Sequence, residues 1–557
     1  MQRAIRCTLL VLALLIPEAE SRAQQHERGG ASHATAKDAV PLYDNLGDLH
    51  HEITTRVPRA QAYFDQGVRL LYGFNHAESA RAFREAERLD PSCAMCPWGV
   101  ALALGPNINA PMDAEAGSEA YAAAQRALRK EKNASPREQA YIRAMAVRYA
   151  ADASAERPPL DSAYARAMAK VADAYRDDVD AQVLYADALM NLSPWNYWEA
   201  DATPRPGTRE IVSRLLYAME KNPDHPGACH LYIHAEEAHD PTRAVDCAER
   251  LAQLMPGAGH LVHMPGHIYI RVGRYWDAVD QNKHAVHADE HYLEGPHVSR
   301  RGIYPQGYYP HNYHFMSFAA SMAGNKQVAV FAARRVAEKL GPEVTREIGW
   351  LEAVTPIVYW TLVTFGEWEE ILAEPLPPAD RLFMYGQAHY ARGVAFAALG
   401  RWTEAEAALD RVTAIAARFW EDRHGDPWVR DNAVALDIAR EALAGEVALR
   451  RGDAEAAAKH FGEAVKLQDG LTYTEPPTWY YSMRQSLGKA LLVAGRPADA
   501  ERAYREDLDR FPENGWSLIG LYQSLMAQGQ TEAARAVKRR FELAWQHADV
   551  ELTASRL

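Results

Sequence analysis

From about residue 55 onward, apolar residues recur at spacings of three and four, with polar positions between them. Alanine is abundant, and the alternating β-branched pattern of strands is scarce. The rhythm breaks at regular distances at Gly, at Asp90-Pro91 and Asp240-Pro241, and at Asn222-Pro223. Such a chain predicts an all-α protein of short helices joined by tight turns.

A 34-residue repeat signature can be laid on these breaks. In 60–91, Tyr63, Gly67, Ser79, Phe83, Ala86 and Pro91 fall at large, small, small, aromatic, small and proline positions. In 445–464, Gly445, Ala448, Gly452, Ala457, Phe461 and Ala464 repeat the pattern. Gly488, Leu491, Gly495, Ala500, Tyr504 and Pro512 repeat it again, as do Gly393, Phe396, Gly400, Trp402 and Ala405. In 266–285 the run is Gly266, Tyr269, Gly273, Tyr275, Ala278, Asn282 and Ala285. On these residues the chain resembles the tetratricopeptide-repeat (TPR) superfamily over roughly 55–546. The resemblance implies an α-solenoid of about twelve antiparallel helix pairs, each burying its apolar face on its neighbours, with the first helix of each pair lining a concave groove. Segments 105–160, 193–207 and 292–310 depart from the period and read as inserted loops. The stretches Cys93-Ala94-Met95-Cys96-Pro97-Trp98-Gly99 and Gly259-His260-Leu261-Val262-His263-Met264-Pro265-Gly266-His267-Ile268-Tyr269 look like one secreted bacterial TPR-protein family, which itself implies no activity.

The N-terminus reads differently. Arg3 and Arg6 precede an apolar run, Cys7 to Ile16, and Ser21-Arg22-Ala23 offers small residues around a cut after Ala23. This pattern predicts a signal peptide over 1–23 and a periplasmic or secreted protein. The run is too short to span a bilayer, and no later stretch is apolar enough, so no membrane span is expected after cleavage. Residues 24–54 read as a flexible leader, followed by N-terminal repeats with inserts (55–225), a His-rich central block (226–345) and C-terminal repeats (346–557). The net charge of −13 argues against nonspecific binding to nucleic acid.

The 22 histidines change the picture. Numbered by the repeat, His260, His263 and His267 occupy groove-facing positions of one helix, and His311 and His314 take matching positions in the next. His230 and His234 repeat the i,i+4 spacing in the preceding one. Residues three or four apart share a helix face, with Cβ atoms about 5–6 Å apart, which suits two ligands of one ion. His260 and His267 lie about 10 Å apart along a helix, so all three histidines of that helix cannot bind one ion directly; two ions, or one ion with further histidines orienting its ligands, fit better. A helix that starts late at Pro265 would leave His260 and His263 on a loop. Imidazole sites without thiolate suit copper, zinc, nickel or iron, and copper is favoured by an oxidising compartment and by the soft donor Met264. Glu236, Glu237 and Asp289 are candidate partners for the second ring nitrogens. His284, His287 and His291 lie on the following helix and read as exposed.

Cys93 and Cys96 read as a local disulfide or an inert pair, and Cys229 and Cys247 as buried thiols or a helix-pinning disulfide. The sequence holds no phosphate-loop, dinucleotide or metalloprotease motif, so no nucleotide or organic cofactor is indicated and catalytic residues stay unassigned. Trp195 to Trp198 and Tyr304, Tyr308, Tyr309 and Tyr313 either pack the inserts or wall a substrate pocket. Two functions remain: a groove holding a transition-metal centre, for a metal-dependent enzyme or metal handling, or a non-catalytic scaffold. The partner in the groove is accordingly a small molecule or a protein or peptide.

Overall fold

The computed structural model describes residues 40–112, 115–199, 201–422 and 427–557. The signal-peptide reading and the first part of the leader lie outside these residues. From Val40 onward the chain forms one unit. Among the described residues there are 26 α-helices and no strand longer than an isolated bridge. Consecutive helices pack as antiparallel neighbours, as in the pairs Pro58–Tyr72 with His76–Leu89 and Ala454–Asp469 with Met483–Val493.

Local chemistry sets the helix starts. Asn75, Ser135, Asn325, Asp453 and Asn514 each accept a hydrogen bond from a backbone N–H in the first turn, satisfying a donor that the helix leaves orphaned. Ser135 and Glu138 complete a reciprocal capping box.

The repeat pattern is explained by close approach. A methyl group added at Gly67 would lie 2.6 Å from the Phe83 ring, and one at Gly445 would lie 2.5 Å from the Phe461 ring. The glycine thus makes room for the aromatic sixteen residues later, and both rings are fully buried. This is the TPR-type α-solenoid that the spacing predicts.

Three expectations change. Segment 105–160 is largely helical (Ala116–Lys130, Pro136–Ala146), and its first helix packs on Met95–Ala103, so it continues the array rather than forming a loop. Residues 40–54, placed in the leader by composition, are anchored: the Tyr63 hydroxyl donates to the Val40 carbonyl, and Asp65 accepts from the His51 backbone. The interior face of the first helices is not an open groove. The loop 471–482 enters it, burying Trp479 and Tyr480, and the Tyr480 hydroxyl lies 2.6 Å from Ser317 Oγ. Trp516 Nε1 donates to the Ser321 carbonyl, so the C-terminal repeats fold back on the central ones. Segment 193–207 is irregular, as its aperiodic sequence predicts; of 292–310 only 294–302 is irregular, and residues 304–310 are helical.

Candidate metal centre

Three neighbouring repeats carry the histidines. Helix Pro226–Glu236 brings His230 and His234. Helices Gly259–His263 and Pro265–Arg271 bring His260, His263 and His267. Met264 between them stays helical (φ −52°, ψ −36°), so Pro265 interrupts hydrogen bonding without ending the run, and all three residues keep their helical spacing. Helix Tyr309–Met322 brings His311 and His314.

Six of these seven converge as two triads: His230, His234 and His260, and His263, His267 and His311. Within each triad the candidate ligand nitrogens all lie within 4.8 Å of one another. The seventh, His314, joins neither. Its ring is 5.9 Å from that of His311, and burial alone pushes its pKa down to about 3. His260 and His267 fall in different triads, as the distance along the helix requires. The two triads adjoin, with the His234 and His267 rings 5.5 Å apart and those of His260 and His263 5.9 Å apart. Five of the six imidazoles are only 0–3% exposed, so the centre is enclosed. His284, His287 and His291 are exposed, as expected.

The hydrogen bonds fix the tautomers. His230 Nδ1 donates to the Tyr72 carbonyl (2.7 Å), and His234 Nδ1 donates to Glu237 Oε1 (3.2 Å). His267 Nδ1 lies 3.0 Å from Glu237 Oε2 and 2.9 Å from Glu475 Oε2. His263 Nδ1 faces Asn282 Oδ1 at 2.8 Å, and Asn282 is oriented by its own amide donating to the Ala278 carbonyl. All four partners offer an acceptor, so each of these four Nδ1 atoms carries a proton, and each Nε2 presents a lone pair whenever its ring is neutral. Yet His230 Nε2 lies 3.1 Å from His234 Nε2, and His263 Nε2 lies 2.9 Å from His267 Nε2. Two lone pairs held this close call for a proton or a cation between them. Burial and neighbouring imidazoles push His230 and His263 well below the usual range. His267 alone is raised, to about 9, because Glu237 and Glu475 outweigh the cost of its burial. Both nitrogens of His260 lack a hydrogen-bond partner.

The orienting groups only partly match expectation. Glu237 serves one histidine of each triad. Glu236 instead pairs with Arg243, and Asp289 accepts from Tyr304 and Asn312, so neither touches an imidazole. Asn282 and Glu475 were not foreseen. Asn282 had a legible signal: it stands sixteen residues after Gly266, where other repeats place Phe83, Phe461 or Tyr504.

Aromatic rings wall the centre. Phe74 lies against His230, His260 and His234, with ring centroids at 4.4, 5.4 and 6.2 Å. Trp195 meets His234 edge-on at 5.0 Å, and Tyr308 lies 4.5 Å from His260. Phe74 (φ +54°) and Trp195 (φ +64°) hold left-handed backbone conformations, a strain of about 1–3 kcal/mol each that the surrounding packing must offset.

Cys93 and Cys96 form a disulfide, while Cys229 and Cys247 are free and buried. Among the described residues no helix is long and apolar enough to cross a membrane.

No family model matches the chain, and no curated protein does. Solved structures with a related trace include a human IFIT1 dimer with m7Gppp-AAAA, 12% identical over 88% of this chain and 91% of that one, with a TM-score of 0.30. The P58(IPK) TPR domain is 11% identical over 85% and 99%, with a TM-score of 0.20. Yeast Tom70 is 10% identical over 89% and 93%, with a TM-score of 0.28. Likenesses this distant carry no argument about function.

Proposed function

We propose that this protein is a copper-dependent oxidoreductase of the periplasm or cell exterior, with two ions held by six imidazoles inside a TPR-type array. The observation that carries the reading is the convergence of two histidine triads, in each of which two Nε2 atoms face each other while the Nδ1 atoms of those two rings are held by acceptors. Three protein ligands leave a coordination position open at each ion, the arrangement of a reactive rather than a structural site. An all-nitrogen set suits copper before zinc. With copper the open positions suit dioxygen; with zinc they would suit water and hydrolysis. The enclosure restricts what reaches the ions to small molecules. The compartment follows from the signal-peptide pattern and accords with the Cys93–Cys96 disulfide.

Oxygen uptake by the copper-loaded protein, with a small one-electron donor such as ascorbate, tests the activity. We expect turnover that is absent from the metal-free and zinc-loaded forms and lost in His234→Ala/His267→Ala. Uptake no faster than that of an equal concentration of free copper would refute it. The alternative, a scaffold that binds a peptide or protein, draws on the helical-hairpin fold alone. Full partner binding by the same double variant, with metal irrelevant, would favour it.

A further inference from the structure

We propose that Cys229, Cys247 and Met219 form a separate binding site for monovalent copper, built from sulfur alone. Three successive helices supply it: Thr208–Lys221 carries Met219, Pro226–Glu236 carries Cys229, and Val245–Leu254 carries Cys247. Met219 Sδ lies 3.1 Å from Cys247 Sγ and 3.9 Å from Cys229 Sγ. Arg250 and Met219 each contact both thiols, so the two cysteines flank one point. Three sulfurs around one ion at about 2.3 Å would stand about 4 Å apart, so small side-chain adjustments close the triangle.

The charge around the sulfurs supports the reading. Arg250 Nη2 lies 3.9 Å from both cysteine sulfurs, and its Nε is buried without a partner. A guanidinium flanked by two thiols favours their thiolate forms. Two thiolates and one Cu(I) sum to −1, which Arg250 balances. Each thiol loses its proton to solvent as its sulfur–copper bond forms, and the copper stays monovalent throughout.

The donor set selects the ion. Two thiolates and a thioether are soft ligands, and their three-coordinate arrangement lacks the fourth donor of a structural zinc site. Both cysteines are buried, whereas Met219 and Arg250 are partly exposed and mark the side from which an ion enters. Cys229 directly precedes His230 in its helix, where adjacent residues face different sides, so the sulfur site is distinct from the first imidazole triad.

The test is an anaerobic titration of the protein without residues 1–23, and so without Cys7, with Cu(I) against a chromogenic Cu(I) chelator. It is read by sulfur-to-copper absorption in the near ultraviolet and by thiol counting. We expect two reactive thiols in the metal-free protein, both protected by one equivalent of Cu(I). Met219→Leu should weaken binding about 10-fold, and Cys247→Ser by ~100-fold or more. Met219→Leu conserves volume and keeps the proposal testable if the cysteine variant fails to fold. Absence of free thiols in protein purified without reductant would show a disulfide instead and overturn the proposal. Unchanged affinity in Met219→Leu, or displacement of Cu(I) by equimolar Zn(II), would also overturn it. These readouts are specific to sulfur, so failure of the imidazole centre leaves them unaffected.

Discussion

Glu237 is the residue through which the two triads can be probed together. It is fully buried; its Oε1 accepts from His234 Nδ1 (3.2 Å) and its Oε2 forms an ion pair with His267 Nδ1 (3.0 Å). Glu237→Gln keeps the shape but offers one acceptor where the carboxylate offers two. One imidazole then faces an amide N–H, and both lose a neighbouring charge. A hydrogen bond to a charged group contributes about 1.5–3 kcal/mol. Removing a group that orients a metal-bound histidine weakens metal binding about 10–100-fold, or roughly 1.4–2.7 kcal/mol. We therefore expect at least one of two copper ions to weaken by that factor in a competition titration. Glu475→Gln, which among the six imidazoles touches only His267, should weaken one ion and spare the other. Far-ultraviolet circular dichroism of the metal-free variants checks that the fold survives. Two affinities unchanged within about 2-fold in a folded Glu237→Gln protein would refute the reasoning, because the carboxylate would then hold nothing that matters to an ion.

Other predictions concern the scaffold. Burial pushes Asp289 up to about 7, opposed by hydrogen bonds from Tyr304 and Asn312. Its folded value lies above its unfolded value, so the native state binds the extra proton. Stability from this group is greatest below about pH 4 and falls by about 1.4 kcal/mol per unit as the pH rises toward 7. Asp289→Asn should match the parent near pH 4 and exceed it by up to ~4 kcal/mol near pH 8, since the unpartnered Asn312 Oδ1 can turn to accept from the new amide; parallel denaturant titrations decide it, and equal stabilities at both pH values would exclude it. Gly445→Ala places a methyl group 2.5 Å from Phe461 and should cost about 1–3 kcal/mol. Gly462→Ala, with nothing within 4 Å, should gain up to ~1 kcal/mol of helix propensity; chemical denaturation of both variants measures the contrast.

The fold was legible because its rule is local. A small residue opposite an aromatic sixteen positions later recurs along the chain, and each occurrence reports one hairpin. The triads were legible for the same reason, since a fixed repeat phase carries side chains on successive helices to one face. His314 failed because a shared face does not ensure a shared point: it lies three residues beyond His311 and turns into packing. Glu475 was invisible because it comes from a loop 208 residues beyond His267, and no local period links the two. The filling of the interior face had a trace in the sequence: Tyr473, Trp479, Tyr480 and Tyr481 around Pro476-Pro477 break the helical rhythm and supply large rings. The enclosure of the imidazoles follows from that loop and from Phe74 and Trp195, whose left-handed backbones no spacing rule predicts.

The most direct test of the central claim is elemental analysis of protein produced without a histidine tag, reconstituted with copper and desalted. The six-imidazole reading predicts two copper ions per chain bound through nitrogen, falling to at most one when His263→Ala and His267→Ala remove the second triad. Less than a tenth of an equivalent of any transition metal after reconstitution would contradict it.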